Sequence, residues 1–570
     1  MGRRELLVIV ALLVLAGAFR VCVAHWLAND APEDGKVYAQ IARNVLEQHV
    51  YSHETQAPYD PSLIRAPGYP LFLAVIYKVF GHTNNGAVRI IQAVIDTASC
   101  ALVALLGFYW QPDEKRKRAT AIGALALAAV NPFTTIYAAT ILTEVPAMFL
   151  ALATCVAATI GFRAGEEEVT TETRRSRRQG FNRSILWWGL AGLFAGLGMM
   201  FRPDSGLFAA AICLTVLIVG LRRFWSAPPK RSTKFLSRTF AATLIFSFAC
   251  LLVLTPWTIR NWRVFHLFQP LQPMHAEMPD EFVPRGYIRW LKTWIDDQRY
   301  IDPFWWELDI EPIDIDELPD NAFDSDAERA RVAALLDQYN HPANAGDLQA
   351  TPSPTPTPQP SPTSVNPKNQ RKNSNANNSE KETDNENSND QEDEDENAPD
   401  ESDQAPPQEH GPVEMTPEID AGFAQIASER IARHPFRYYV WVPAKRAHAL
   451  WFNTHSDFYP FEGTLLPLDE LDRDAHQQIW LPLFALLVGI YTVLGVAGLV
   501  VLWMSGDFYA RSWVVLAGLI ICGRLAFFSS VESPEPRYVV ELFPFLAVLG
   551  GIAITRLSIF IRLLRGGEEA

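Results

Sequence analysis

Two acidic residues, Asp30 and Asp34, follow directly on the first apolar stretch of the chain, residues 6–27. About 20 such residues cross the hydrocarbon core of a bilayer, so both carboxylates fall at the water boundary. A carboxylate there can take a proton from a positioned hydroxyl, or it can cap a helix. For Asp34 the capping alternative is the N-cap of a helix that starts near Val37, and the two roles are compatible. Arg65 stands in the same loop, ahead of Ala66-Pro67-Gly68-Tyr69-Pro70. A guanidinium grips phosphate through two oxygens, although an interfacial arginine can also pair with lipid headgroups. Asp96 and Arg524 lie inside apolar runs, where an ionisable group is costly and normally faces protein or water.

The elements that must position these groups are membrane helices. Mean hydropathy is close to zero and the net charge is −15, which imitates an acidic soluble protein. The average conceals two populations. Residues 379–403 hold thirteen acids against one lysine, so they carry twelve of the fifteen net negative charges, and this acidity is uninformative about a substrate. The remainder contains long uncharged runs that predict about ten spans, starting near Leu6, Ala87, Ala119, Leu142, Ser184, Ser205, Thr239, Ile479, Ser512 and Val539. Basic clusters at Arg3-Arg4, 115–118, 174–178, 222–231 and 562–565 alternate with acid-bearing loops. The positive-inside rule then places both termini in the cytoplasm, and the loop of Asp34, the turn at Thr143-Glu144 and residues 260–478 outside. Ala16-Gly17-Ala18 resembles a signal-peptide cleavage site, but the apolar character of 21–27 favours an uncleaved helix.

Between the spans, residues 286–306 are rich in tryptophan and tyrosine, a composition suited to the headgroup level, as are the pairs Trp187-Trp188 and Trp305-Trp306. Residues 350–411 pass from Pro/Ser/Thr to Asn/Glu/Asp and are expected to be disordered. A helix is predicted where Ile419, Phe423, Ile426 and Ile431 share a face, and the aromatic stretch 437–452 is expected along the membrane surface. Six cysteines sit in or beside apolar runs and read as small buried hydrophobes. His434 and His448 lack a second ligand at supportive spacing and read as surface or capping residues.

Asp34 with Tyr38 and AQIARN, then RAPGYPLFLAVIYKVFG, the 131–144 run from NPF to TE, FRPD at 201–204, PWTIRN at 256–261 and PEPRYVVELFPF near the end together resemble the GT-C superfamily. More narrowly they are similar to bacterial relatives of protein mannosyltransferases and of the lipid A aminoarabinose transferase. The resemblance implies an all-α polytopic membrane protein of about ten helices, with a small extracytoplasmic loop domain and a disordered insert. It divides the chain into a catalytic membrane module at 1–261, including an outer loop at 28–86, then an outer segment at 262–349. The insert at 350–411, outer and interfacial helices at 412–478, and closing spans at 479–570 complete it.

The activity implied is inverting transfer of a sugar from a polyprenyl-phosphate carrier to an acceptor lipid, glycan or protein, outside what is expected to be a bacterial inner membrane. Asp34 is then the general base, with Asp30 the competitor. Arg65, Arg260 and Arg537 are expected on the donor phosphate, and Glu144, Asp30, Tyr38, Tyr69 and Arg524 beside the acceptor or behind the site. Arg202 is read as structural or as standing behind the site. No metal is expected to be obligatory, and no nucleic acid is expected as partner. Two other classes remain. A transporter or flippase of lipid-linked saccharides would use Asp96 and Arg524 along a path, and an inactive relative would serve as an assembly subunit.

Overall fold

The computed structural model describes residues 2–566 except 28–31, 82, 171–173, 227–228, 274, 276, 280, 343–412, 457, 460 and 471–474. Asp30 and the 350–411 insert therefore lie outside the described residues. The first half of the chain forms α1 (Arg3–Trp26), α2 (Glu33–Glu47), α3 (Gly68–Phe80), α4 (Asn85–Trp110), α5 (Lys117–Ala129), α6 (Pro132–Thr135), α7 (Glu144–Thr170), α8 (Arg174–Phe201), α9 (Gly206–Ser226) and α10 (Pro229–Phe265). The second half forms α11 (Arg285–Leu291), α12 (Asp326–Asn340), α13 (Pro417–Arg433), α14 (Val442–Phe452), α15 (Ala475–Met504), α16 (Phe508–Ser529) and α17 (Phe543–Gly566). Among the described residues the only extended pairings are two isolated bridges, Asn453 with Thr464 and Leu465 with Leu468.

Nine of the described helices are long and apolar enough to cross a membrane, and a tenth span is possible only as a bent pair, residues 117–129 and 132–138, inclined by 50°. The protein is an all-α integral membrane protein. The bend has a local cause. Pro132 has no N–H to donate, and the Asn131 side chain instead accepts from Phe133 N at 3.0 Å. Arg20, buried in α1, gathers the carbonyls left at the end of α5, donating to Ala128 O at 3.0 Å and Ala129 O at 3.1 Å. Its charge is matched by Asp96 of α4 at 2.6 Å. Asp96, an outlier by sequence, is thus half of a buried ion pair that mends a broken helix.

Enclosure differs among the spans. In α7 and in residues 536–556 the apolar window is 89% buried, against 11% for α1. Two enclosed helices therefore form the centre, and both begin at the end of the bundle that carries Asp34. Helix α8 packs on α10 through Gly192 and Gly196, where a Cβ would stand 2.2 Å from Phe246 O and 2.7 Å from Cys250 O. Small residues one turn apart let the backbones touch, the usual means of helix association where lipid removes the hydrophobic drive. Gly68, at the start of α3, sits equally close to Met200 O, which pins the Arg65 loop against the end of α8.

A second apolar cluster lies between α10 and α15. Tyr287, Trp290 and Trp294 are fully buried there against Phe304, Phe423 and Ile426. The expected headgroup role of residues 286–306 is therefore corrected for these rings, which pack on α13 and form a core. Trp188 is likewise buried against Phe246, so it is no belt residue, whereas Trp306 is exposed. Phe436, Tyr439 and Trp441 are exposed beside the buried Arg446. Cys100, Cys155 and Cys250 are buried as expected, but Cys22 and Cys522 face outward.

Candidate functional site

Asp34 occupies the first turn of α2, where the helix dipole favours an acid. The helix begins at Glu33 with Pro32 as N-cap, earlier than the sequence pattern places it, so Asp34 is not a cap. Its carboxylate is shared instead. Arg65 Nη2 donates to Oδ1 at 2.8 Å, and Arg537 Nη2 donates to Oδ2 at 3.1 Å. Burial alone would raise this carboxyl, but the charges and hydrogen bonds of Arg537 and Arg65 override it and hold it below the usual range. Nε of both arginines is buried without a hydrogen-bond partner among the described residues. Two guanidiniums therefore converge on one carboxylate and retain unused donors.

The surroundings fix both arginines. Arg65 lies 5.9 Å over the ring of Tyr38, one turn beyond Asp34, and its carbonyl accepts from Tyr51 Oη at 3.0 Å. Tyr38 meets Tyr69 edge-on at 5.2 Å, and Tyr69 Oη donates to Gln92 at 2.8 Å. Arg537 lies over Phe458 at 4.8 Å and Tyr538 at 5.5 Å. Arg260 is not on Asp34. It donates to Ser62 O at 2.8 Å and lies over Trp257 at 4.8 Å, so it supports the segment leading to Arg65.

Immediately behind is a buried charge cluster. Glu144, opening α7, binds Arg202, which also meets Asp204 at 3.1 Å and Glu541 at 3.7 Å. Arg524 meets Asp204 at 2.6 Å and Glu541 at 3.4 Å, and its Nε donates to Tyr538 O at 2.5 Å. Glu144 thus holds a basic partner, and Arg524 stands behind the site. Asp204 and Glu541 were not singled out by sequence reasoning. The available signal was the intramembrane Arg524, whose charge required acidic partners.

A third, polar seam joins residues 297–298 and 453–456 to residues 533–535, just ahead of Arg537. Ser456 Oγ donates to Glu535 Oε1 at 2.5 Å, and Ser533 Oγ donates to Gln298 Oε1 at 2.9 Å. Asp297 receives Asn453 Nδ2 at 2.9 Å and faces His455 Nδ1 at 2.8 Å. Burial would raise the Asp297 carboxyl, but its bond to His455 keeps it below its ordinary value. Sequence reasoning missed His455, because its partner lies far away in the chain. His434 is 4.0 Å from Asp324, and His448 meets Phe452. Among the described residues no cluster of three His, Cys, Asp or Glu side chains has the arrangement to hold a metal.

No protein-family model and no curated protein matches the chain. A solved structure similar to it is the archaeal oligosaccharyltransferase AglB from Archaeoglobus fulgidus, in complex with an inhibitory peptide and a dolichol-phosphate. The match has a TM-score of 0.45 and 12% identity, and covers 100% of this chain and 52% of the other. This chain therefore spans about half the length of that protein.

Proposed function

We propose that the protein is a GT-C-type membrane glycosyltransferase that moves a sugar from a polyprenyl phosphate to an acceptor hydroxyl on the outer membrane face, with inversion. The observation that carries this reading is the sharing of the Asp34 carboxylate between Arg65 and Arg537, each retaining an unused Nε donor, at the mouth of a helical bundle. The ordered motifs from Asp34 to PEPRYVVELFPF support it.

With both guanidiniums on it, Asp34 is a poor base, because its proton affinity is held low. A donor phosphate presents more anionic oxygens to the same two forks and competes for them. Once Arg65 and Arg537 turn to phosphate, the desolvation of Asp34 is no longer opposed, and its proton affinity rises. The acceptor oxygen then attacks the anomeric carbon as its proton passes to Asp34. The bond from that carbon to the phosphate oxygen breaks, and its electron pair leaves with the polyprenyl phosphate, steadied by the two arginines. Donor binding and base activation are thus one event.

The test is transfer of radiolabelled sugar from a set of polyprenyl-phosphate sugars by purified protein in lipid, comparing wild type with Asp34→Asn at matched folding. Product with wild type and none with the variant supports the reading. Equal product from both removes Asp34 from the role of base.

A further inference from the structure

Glycosyl transfer needs two ligands, and the Asp34 site accounts for the donor and the proton but not for what holds the acceptor. The seam beside it contains an imidazole in a distinctive setting. His455 Nδ1 lies 2.8 Å from Asp297 Oδ1, while Asp297 Oδ2 is held by Asn453 Nδ2 at 2.9 Å. Asp297 is itself fixed as the N-cap of the turn Gln298–Tyr300, where it accepts from Arg299 N at 3.1 Å. The backbone N–H of His455 donates to Asn453 Oδ1 at 2.8 Å, so ring and main chain are both anchored. A carboxylate on Nδ1 selects the tautomer with the proton there, which leaves the Nε2 lone pair available. Nε2 makes no hydrogen bond to any described residue, and His455 keeps 9% of its surface exposed.

The position follows from the chain. Ser456, the next residue, is tied to Glu535, two residues before Arg537, and Phe458 lies under the Arg537 guanidinium. The dyad is therefore built into the same wall as the group that grips Asp34.

We propose that the His455–Asp297 dyad is an acceptor subsite, in which Nε2 of His455 receives a hydrogen bond from a hydroxyl of the incoming acceptor. This rests on the glycosyltransferase reading and adds to it the chemical class of the acceptor, a polyhydroxylated sugar rather than a peptide with a single hydroxyl. The subsite needs one hydroxyl for Nε2 and another for attack at the anomeric carbon. His455 binds and orients, and the reacting proton still goes to Asp34.

The experiment is steady-state transfer from a polyprenyl-phosphate sugar to octyl glucoside and, separately, to a serine-containing peptide, in wild type, His455→Ala, His455→Gln and Asp297→Asn. For octyl glucoside, the expected result is a rise of about tenfold in acceptor KM for His455→Ala, with a much smaller fall in kcat. His455→Gln restores part of the affinity, since its side-chain oxygen can accept the same hydrogen bond. Asp297→Asn raises KM in the same direction by releasing the tautomer. An unaltered KM in the glutamine and asparagine variants overturns the subsite even if the alanine variant fails to fold. A loss confined to kcat, or serine peptide as the better acceptor, also overturns it. Wild type that cleaves no polyprenyl-phosphate sugar overturns the glycosyltransferase reading itself, a different result from wild-type transfer that ignores His455.

Discussion

Arg524 Nε donates to the carbonyl of Tyr538 at 2.5 Å, so a side chain buried in α16 holds the main chain next to Arg537. The same guanidinium is 2.6 Å from Asp204. Arg524 thus fixes, through backbone rather than through substrate, where Arg537 stands against Asp34.

Replacing Arg524 by alanine leaves Arg202 to balance three buried acids, Glu144, Asp204 and Glu541, so the cluster is left with excess buried negative charge. Breaking a buried pair in this way costs about 3–5 kcal/mol. The expected outcome is a marked fall in the melting temperature of the purified protein, together with weaker donor binding. Unchanged thermal stability would remove the cluster from this structural role.

On the proposed reading, Asp34→Asn removes the anion that competes with donor phosphate for Arg65 and Arg537. Transfer is expected to fall by about 10²–10⁴-fold, the usual contribution of a general base. Binding of polyprenyl phosphate, measured by titration in detergent, is expected to be at least as tight as in wild type. Binding that weakens along with turnover would contradict the competition between carboxylate and phosphate.

Arg65→Ala and Arg537→Ala act in the opposite sense. On the proposed reading each removes a charge-assisted bond to the donor, worth about 1.5–3 kcal/mol, or roughly 10- to 150-fold in affinity. Lysine is expected to recover only part of this, because it offers a point charge rather than a fork. Full recovery by lysine would show that charge alone suffices.

Acid should loosen this corner of the protein. The folded-state value of Asp34 lies below its ordinary 3.8, so the folded form prefers the carboxylate. The contribution of its ion pairs is complete above about pH 4 and is lost as pH falls through the folded value. The gap in melting temperature between wild type and Asp34→Asn is expected to be widest near neutrality and to narrow below about pH 4. A gap that does not change with pH would show that another group carries the stability.

How much of this was legible in sequence depends on the range of the interaction. The spans were legible because length and hydropathy are local properties, and even the bent third span appeared as one apolar run, since Asn131-Pro132 interrupts geometry more than composition. Asp34 and Arg65 could be picked out because both stand in one outer loop, whereas the bond between them is seen only in the fold. The partners of Arg524 were not assigned, because Asp204 is 320 residues away and only packing brings it near. Trp290 and Trp294 misled for another reason. Aromatic enrichment is the same in a headgroup belt and in a core, and what decides is Phe423, supplied by a distant helix. The dyad of His455 was hidden in the same way behind a separation of 158 residues.

The tie between Asp34 and Arg537 spans 503 residues, nearly the whole chain. A ribosome delivers the first of these residues long before the second, so the site around Asp34 is incomplete until the segment bearing Arg537 has been made. Every nascent product that stops short of Arg537 carries the carboxylate without one of its two cations. On the proposed reading, competence to hold a donor waits for Arg537, and a molecule truncated ahead of that residue would be inserted yet inert.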